Sequence, residues 1–217
     1  KKKFIEYNLQ STIVPHSTYG VHPKLMDMIL NLASNNELIS IHNLETASER
    51  DFLQKKEGNI FEWLKQIGAD FSICNENLNS YELINNCNKK IIFVHNTFAK
   101  KIEVKNKLCC TCPKANLFIE GVLPNYDKFD IKTLCVGTDS LASNDKLSIL
   151  EELFIIQNNS TFSLNTLLKI ACLNGARALN FKSLGSISVG KTPGLNLITN
   201  IKNLELTRES VVEPLLN

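Results

Sequence analysis

Four apolar segments of this chain end in a side chain that can bind a metal ion or move a proton. They are the segments Thr12–His16, Ile39–His42, Ile91–His95 and Thr133–Asp139. Buried strands that each end in such a residue are typical of a β/α barrel, because the carboxyl ends of its parallel strands meet on one face. The order of these segments therefore predicts a site assembled from several strand ends.

The same segments alternate with helical patterns along the chain. Strands are predicted at residues 11–16, 38–42, 90–95, 107–112 and 132–137. Their near-continuous apolar character favours a parallel sheet covered on both faces, and hence the α/β fold class. A loop containing Gly121 is predicted between the last two strands, and a short helix near residues 80–86. Because these strands are fewer than a closed barrel contains, the sequence predicts a partial (β/α)8 TIM-type barrel.

Helix starts are marked by proline and serine. Pro23 is predicted in the first turn of one helix, and Ser48 at the start of another. A further helix is predicted around residues 147–154, with Glu151 and Glu152 on its exposed face. These helices would cover the predicted sheet.

The pattern changes after Gly185. Ile187–Val189 and Leu195–Ile198 are predicted as short strands separated by Gly190 and Pro193-Gly194. We therefore expect two parts: residues 1–184 as the C-terminal portion of a barrel, and residues 185–217 as strands of a small β-sandwich.

Composition narrows the possible partners and compartments. The net charge of +2 gives no reason to expect nucleic acid, and no apolar run is long enough to span a membrane. No signal peptide is visible, and the seven cysteines lack framework spacing, so a cytoplasmic protein with reduced thiols is expected. Cys109 and Cys112 have the gap of a zinc knuckle, but no second pair follows, which favours core cysteines.

Each polar strand end has an ordinary alternative to a functional role. His42 could be a half-exposed histidine, Glu45 a helix-start residue, His95 a structural histidine and Asp139 a helix N-cap. His16 could orient a substrate. Taken together, His42, His95 and Asp139 match the three protein ligands of a catalytic zinc site, and Glu45 could shuttle a proton.

The motifs around these residues resemble the amidohydrolase superfamily, in particular its deaminase and chlorohydrolase branch, which includes adenosylhomocysteine, aminofutalosine and guanine deaminases. The matching stretches are Pro15-His16-Ser17, His42-x-x-Glu45-Thr46, Val94-His95-Asn96, Cys112-Pro113-x-x-Asn116-Leu117, Gly137-Thr138-Asp139-Ser140, Asn174-Gly175-Ala176-x-Ala178-Leu179 and Gly185-Ser186-Ile187-x-x-Gly190-Lys191. As an ordered set these motifs are specific, and they extend from about residue 11 to the end.

The resemblance implies one divalent metal, Zn²⁺ or Fe²⁺, bound by His42, His95 and Asp139. Asp139 would also act as general base and Glu45 as proton shuttle, while His16, Glu45 and Asn116 would contact a small-molecule substrate. The implied reaction is hydrolytic deamination of a purine-like or other nitrogen heterocycle. A chlorohydrolase or a cyclic-amide hydrolase would use the same ligands.

The chain departs from the family pattern in its first part. The family's opening His-x-His pair is absent, and the connection from His95 to the strand near Leu108 is short for a crossover. We therefore expect the C-terminal portion of a longer protein, one that needs its missing N-terminal half and could form a homodimer. The alternative is a non-catalytic remnant without the metal. A nucleotide-binding module is disfavoured, because no Gly-x-Gly-x-x-Gly motif occurs.

Overall fold

The structure of the protein is a computed structural model that describes residues 11–35, 37–69, 89–99 and 107–216. The contacts divide the chain into two compact units, residues 1–108 and residues 109–217. The helix predicted near residues 80–86 lies outside the described residues. Within the described part of the chain, none of the helices combines the length and apolar character needed to span a bilayer.

The first unit pairs two parallel strands with helices. Its described elements are α1 (Pro23–Leu32), β1 (Leu38–Asn43), α2 (Ala47–Lys55), α3 (Asn59–Gln66) and β2 (Lys90–His95). In β1 and β2, Ile41 lies opposite Phe93 and Asn43 lies opposite His95. Apolar side chains of both strands pack with Phe52 of α2 in one buried core. Burial of these residues fixes the strands, so the polar residues at their carboxyl ends have defined positions.

The segment before α1 differs from its prediction. Residues 11–16 were predicted as a strand, but the structure has only an isolated parallel bridge between Ser17 and His42. The His42 amide donates to the carbonyl oxygen of His16 at 2.9 Å. Pro15 has no N–H to donate, so it cannot contribute to a strand ladder at that position. The prediction of a strand was wrong, although the segment still lies beside the end of β1.

Helix starts are confirmed in one case and corrected in another. α1 begins at Pro23, as predicted. α2 is capped by Thr46, whose hydroxyl accepts from the Glu49 amide at 3.0 Å. Ser48 lies inside α2, and its hydroxyl accepts from the Ile60 amide at 3.0 Å. Thr46 is the cap because its hydroxyl accepts from an amide of the first turn, whereas the hydroxyl of Ser48 accepts from α3.

The second unit contains another parallel pair. Its elements are β3 (Leu108–Thr111), α4 (Pro113–Glu120), a 3-10 turn (Tyr126–Lys128), β4 (Leu134–Val136), α5 (Ile149–Asn158), α6 (Leu164–Leu168), a π-helix (Lys169–Asn174), α7 (Gly175–Ala178), β5 (Leu195–Thr199) and β6 (Val211–Leu216). β3 and β4 are parallel, with Cys110 opposite Cys135. The two strands are where the sequence predicts them, and slightly shorter.

Helix α4 occupies a connection that the sequence analysis assigned to a loop. Pro113 stands at its first position, and Gly121 follows its last residue with φ of 69°, in the left-handed region. Proline at the start and glycine after the end are recognised helix signals. The omission matters because α4 carries Asn116.

The C-terminal residues form a two-stranded ribbon. β5 pairs with β6 in antiparallel fashion, with Thr199 opposite Val211. The predicted strand Leu195–Ile198 corresponds to β5, but the structure has no strand at Ile187–Val189. Ile187 and Val189 are strongly exposed instead, which leaves them without the packing that supports a strand.

Two of the late motifs serve packing. The Asn174 side-chain amide donates to the carbonyl oxygens of Ile131, at 2.8 Å, and of Leu134, at 2.6 Å. Gly185 has φ of 83°, and a Cβ there would lie 2.6 Å from the Cβ of Ala176. These contacts explain an asparagine and a glycine at these positions without a role in chemistry, and the Asn174 hydrogen bonds hold the start of β4.

Candidate functional site

The first unit brings two histidines together where its parallel strands end. His42 is the penultimate residue of β1, and His95 is the last residue of β2. The centroids of their rings are 5.2 Å apart, and His95 is completely buried. Their proximity follows from the parallel register, which brings the carboxyl ends of the two strands to the same edge.

His16 joins this pair from the preceding segment. The centroids of the His16 and His42 rings are 4.5 Å apart, in an edge-on arrangement. The backbone hydrogen bond from His42 to His16 holds the segment in place. His16 is exposed, in contrast to His95, so its ring is accessible to a small molecule.

Glu45 reaches the same place from the loop between β1 and α2. Its Oε1 lies 3.5 Å from Nε2 of His95, and its side chain is 20% exposed. A carboxylate that is partly open to solvent and next to the buried histidine can exchange protons with a bound molecule. Four of the predicted site residues, His16, His42, Glu45 and His95, therefore lie together within one unit.

The backbone at these strand ends is unusual. Leu44, His95 and Asn96 all have positive φ, at 47°, 71° and 54°. Each such residue other than glycine costs on the order of 1–3 kcal/mol and requires support from its surroundings. The Asn43 side-chain amide donates to Asn96 Oδ1 at 2.9 Å, and the Asn96 side-chain amide donates to the Phe93 carbonyl oxygen at 2.9 Å. Asn96 was singled out in the sequence only as part of the motif Val94-His95-Asn96, and no role was predicted for it or for Asn43, although asparagine tolerates positive φ better than most residues.

Glu49 is a second acid that the sequence analysis missed. It is 1% exposed, and its Oε2 accepts a hydrogen bond from the Glu45 amide at 2.9 Å. Its Oε1 accepts from the Thr18 hydroxyl at 3.4 Å. Burial raises the pKa of Glu49 to about 7. The capping-box spacing from Thr46 was the available sequence signal.

In the second unit, Asp139 lies on the loop after β4. Its φ is 57°, and its Oδ2 accepts a hydrogen bond from the Ser143 hydroxyl at 2.5 Å. The alternative of a helix N-cap does not apply, because α5 begins at Ile149 and is capped by Ser148. Asp139 is half-buried, so one side of its carboxyl group is held while the group remains accessible.

Asn116 lies in the first half of α4 and is buried. The structure therefore places it in the second unit, two residues after Lys114, at the amino end of a helix. Glu152, predicted on the exposed face of α5, is completely buried. Its Oε2 accepts from the Lys114 amide at 2.8 Å, and its Oε1 accepts from the Asn144 side-chain amide at 2.7 Å.

Cys109, Cys112 and Cys135 are buried in this unit, whereas Cys172 is exposed. Burial raises the pKa of Cys109 to about 12, and the Cys135 thiol donates to the Cys109 carbonyl oxygen at 3.3 Å. A Cβ at Gly137 would lie 3.2 Å from Sγ of Cys110 and 3.5 Å from Sγ of Cys112. Cys109 and Cys112 are both buried, as expected for core cysteines.

The donor atoms of the first unit fit a divalent metal. Zn²⁺ and Fe²⁺ bind imidazole nitrogens readily, and catalytic zinc sites commonly combine histidines with a carboxylate. His42 and His95 supply two such nitrogens at adjacent strand ends, and His95 is removed from solvent. The residues present are therefore compatible with a metal centre.

Comparison with known proteins decides the family. The family model described as "Amidohydrolase family" matches residues 2–212, nearly the whole chain. The chain belongs to the amidohydrolase family. Members of this family have a TIM-type barrel and are generally metal-dependent, in agreement with the parallel α/β units and the histidine pair described above.

Individual relatives of this amidohydrolase are deaminases. It is 28% identical to the aminodeoxyfutalosine deaminase of Nitratiruptor sp. over 94% of this chain and 54% of that protein. It is also 28% identical to the adenosine deaminase of Helicobacter pylori, over 97% of this chain and 54% of that protein. The chain thus spans about half the length of the curated relatives it matches.

A solved structure shows the same similarity. The aminofutalosine deaminase of Helicobacter pylori, in complex with methylthio-coformycin, superimposes with a TM-score of 0.74 and 26% identity. The match covers 95% of this chain and 55% of that one. The fold similarity therefore extends over the described parts of both units.

Proposed function

We propose that the protein is a metal-dependent hydrolase of non-peptide carbon–nitrogen bonds that deaminates a purine-like heterocycle. The observation that supports this most directly is the meeting of His16, His42, Glu45 and His95 at the ends of β1 and β2. In an amidohydrolase whose similar relatives are named as deaminases of adenosine-like molecules, these are the residue types that such chemistry requires.

One divalent ion, Zn²⁺ in the first instance and Fe²⁺ as the alternative, would be held by His42, His95 and Asp139. Each of these residues can offer one ligand atom. When bound, the ion would supply a Lewis acid that lowers the pKa of a water molecule toward neutrality.

The remaining chemistry would be done by the side chains. Asp139 would take a proton from the attacking water, whose oxygen forms a bond to the ring carbon that carries the amino group. Glu45 would deliver a proton to that amino nitrogen, because amide ion is a poor leaving group and ammonia is a better one. The carbon–nitrogen bond then breaks and ammonia leaves. His16, Glu45 and Asn116 would contact the substrate ring and its substituents.

The proposed architecture is that of a partial barrel with an appendage. Residues 1–184 would form the C-terminal part of a TIM-type barrel, and residues 185–217 would supply strands of a small β-sandwich. Coverage of about half of each relative supports the proposal that a further N-terminal barrel segment completes the site. A homodimer in the cytoplasm remains our proposal for the assembly and its location, and the free thiols of the described cysteines support a reducing compartment.

The test uses the full-length protein purified without chelator. We expect about one transition-metal ion per chain by elemental analysis, and ammonia release from adenosine or its 5′-substituted derivatives. His42→Ala should abolish both. His22→Ala is the matched control, because His22 lies at the start of α1, where its Nδ1 accepts from the Lys24 amide.

Each outcome has a definite meaning. Metal and ammonia release that survive in His22→Ala but not in His42→Ala would support the deaminase. Metal binding with chloride release, or with opening of a cyclic amide, would replace deamination with one of the alternative reactions. Full-length protein without metal and without activity would refute the enzyme and favour the non-catalytic remnant.

A further inference from the structure

Helix α4 lacks a cap of its own. Its N-cap residue, Cys112, makes no side-chain capping hydrogen bond, and Pro113 has no amide hydrogen. The first backbone donor of the helix is therefore the Lys114 amide, and an unsatisfied donor in a buried helix start is costly. Oε2 of Glu152, from α5, accepts this hydrogen bond at 2.8 Å.

The other oxygen of Glu152 holds a different loop. Oε1 accepts from the Asn144 side-chain amide at 2.7 Å, and the same amide nitrogen donates to the Thr138 carbonyl oxygen at 2.8 Å. Thr138 directly precedes Asp139. Ser143, next to Asn144, donates to Asp139 itself. Hydrogen bonds thus hold the loop on both sides of Asp139, and the buried Glu152 carboxylate accepts one of the bonds that fix Asn144.

We infer that Glu152 is a positioning residue that fixes the first turn of α4 and the loop after β4 together, and through them Asn116 and Asp139. This inference rests on the proposed function, which gives those two residues their roles. Glu152 touches neither residue directly; it acts through the Lys114 amide and the Asn144 side chain. Supporting groups of this kind determine the orientation of a ligating carboxylate.

The bonding pattern also explains why a carboxylate is needed. Both partners of Glu152 are N–H donors, so both oxygens must accept. A glutamine has one acceptor oxygen and an NH2 group. The NH2 group would face one of the two N–H donors and could not accept a hydrogen bond from it. Glu152→Gln therefore keeps the shape of the side chain but removes one of the two hydrogen bonds.

The experiment compares Glu152→Gln with Glu151→Gln in the full-length protein. Glu151 is the adjacent residue on α5, but it is partly exposed and pairs with the ammonium groups of Lys114 and Lys146. Hydrogen–deuterium exchange is measured for peptides that cover residues 113–116 and 138–144, with residues 163–168 of α6 as an internal reference. The chelator-driven release of metal, kcat and KM are measured on the same samples.

We expect Glu152→Gln to speed exchange in both segments, 113–116 and 138–144, about tenfold or more, with the α6 reference unchanged. Metal release should accelerate, and kcat should fall about tenfold with KM within about twofold, because the loss is one of alignment rather than of substrate contacts. Glu151→Gln should leave all four quantities near their wild-type values.

Three results would overturn the inference. They are exchange in Glu152→Gln that matches Glu151→Gln, faster exchange throughout the unit without preference for segments 113–116 and 138–144, and a rise in KM with kcat unchanged. If Glu152→Gln does not fold, Asn144→Ala is judged by the same criteria for the segment 138–144. This substitution removes the hydrogen bond between Asn144 and Glu152 without placing a second N–H donor in the interior. If the wild-type protein releases no ammonia, the proposed function fails, while the exchange measurements still decide whether Glu152 fixes the start of α4 and the loop after β4.

Discussion

Glu45 in the first unit and Asp139 in the second lie on loops that are each held by a buried glutamate, but the two glutamates are bonded differently. Glu49 accepts a short bond from the Glu45 amide and a longer bond from the Thr18 hydroxyl, and the Leu44 backbone also interacts with its carboxylate. Glu152 accepts two short bonds, both from N–H groups. A hydroxyl can reverse its role and accept, whereas an N–H cannot. The first support is therefore adaptable, and the second requires a carboxylate.

The two proposed catalytic acids give the largest expected contrast. Asp139→Asn in the full-length protein should lower kcat by about 10²–10⁴-fold or more and also weaken metal retention, because this residue is proposed both as ligand and as base. Glu45→Gln should lower kcat by about 10²–10⁴-fold and leave the metal in place. Steady-state kinetics and elemental analysis on both variants make the comparison.

Near-normal turnover in Asp139→Asn would remove Asp139 from the mechanism. Loss of metal in Glu45→Gln would show that Glu45 is a ligand rather than a proton shuttle. Far-ultraviolet circular dichroism of each variant serves as the control for folding.

The buried supports themselves should differ in stability. At pH 6, Glu152→Gln is expected to lower the free energy of unfolding by about 1–3 kcal/mol, because the new NH2 group would face a buried N–H donor without forming a hydrogen bond. Glu49→Gln should stay within about 1 kcal/mol of wild type, because the Thr18 hydroxyl can turn to accept from the new amide. Urea denaturation of the full-length variants measures both, and equal costs would contradict the distinction drawn between them.

The ionisation of Glu49 sharpens the contrast further. Its pKa in the folded protein is raised to about 7, mainly by burial, and the nearby Glu45 carboxylate adds to the effect. A raised carboxyl pKa means that Glu49 stays protonated to a higher pH in the folded state than in the unfolded state. The contribution of Glu49 is therefore most favourable below its ordinary pKa of 4.5, and it declines as the pH rises through about 7.

Glu49→Gln should consequently gain stability relative to wild type between pH 5 and pH 8, by on the order of 2–3 kcal/mol at most. Tyr19 and Glu45 are the titratable groups coupled to Glu49, and both remain in the variant; the pKa of Tyr19 is raised from 10.0, so Tyr19 stays protonated across this range. The measurement is the difference in urea midpoint between the two proteins across this pH range. A difference that is constant with pH would show that Glu49 is ionised throughout.

Sequence patterns located the strand ends well because the strands are compact apolar runs that stop at a polar residue. His42 and His95 are positioned by that local pattern and by parallel pairing, and both were predicted. Glu49 and Glu152 were not, because a glutamate in the first turn of a helix usually faces water and stabilises the helix dipole. Glu152 lies on the side of α5 that also carries Leu153 and Ile156, which are buried, and only tertiary packing reveals that its partners are the Lys114 amide and Asn144.

The residues with positive φ could not be predicted from the sequence either. Leu44, His95 and Asp139 adopt a conformation that no local signal in their residue type demands. The strand ends are held in it by hydrogen bonds from residues distant in sequence, such as the bond between Asn43 and Asn96. The identities of the site residues were therefore predictable, whereas the network that holds them was not.

The smallest expected effect concerns the hydrogen bond from the Ser143 hydroxyl to the Asp139 carboxylate. Ser143→Ala removes the hydroxyl that donates to Asp139 Oδ2, while the ties through Asn144 and Glu152 remain. We expect kcat to fall about three- to tenfold, the equivalent of one hydrogen bond of about 1 kcal/mol. Ser140→Ala is the control on the same loop, since that exposed hydroxyl accepts only from the Ala142 amide among the bonds described. A loss in Ser143→Ala clearly larger than that in Glu152→Gln would mean that the hydroxyl contributes more to the orientation of Asp139 than the buried carboxylate does.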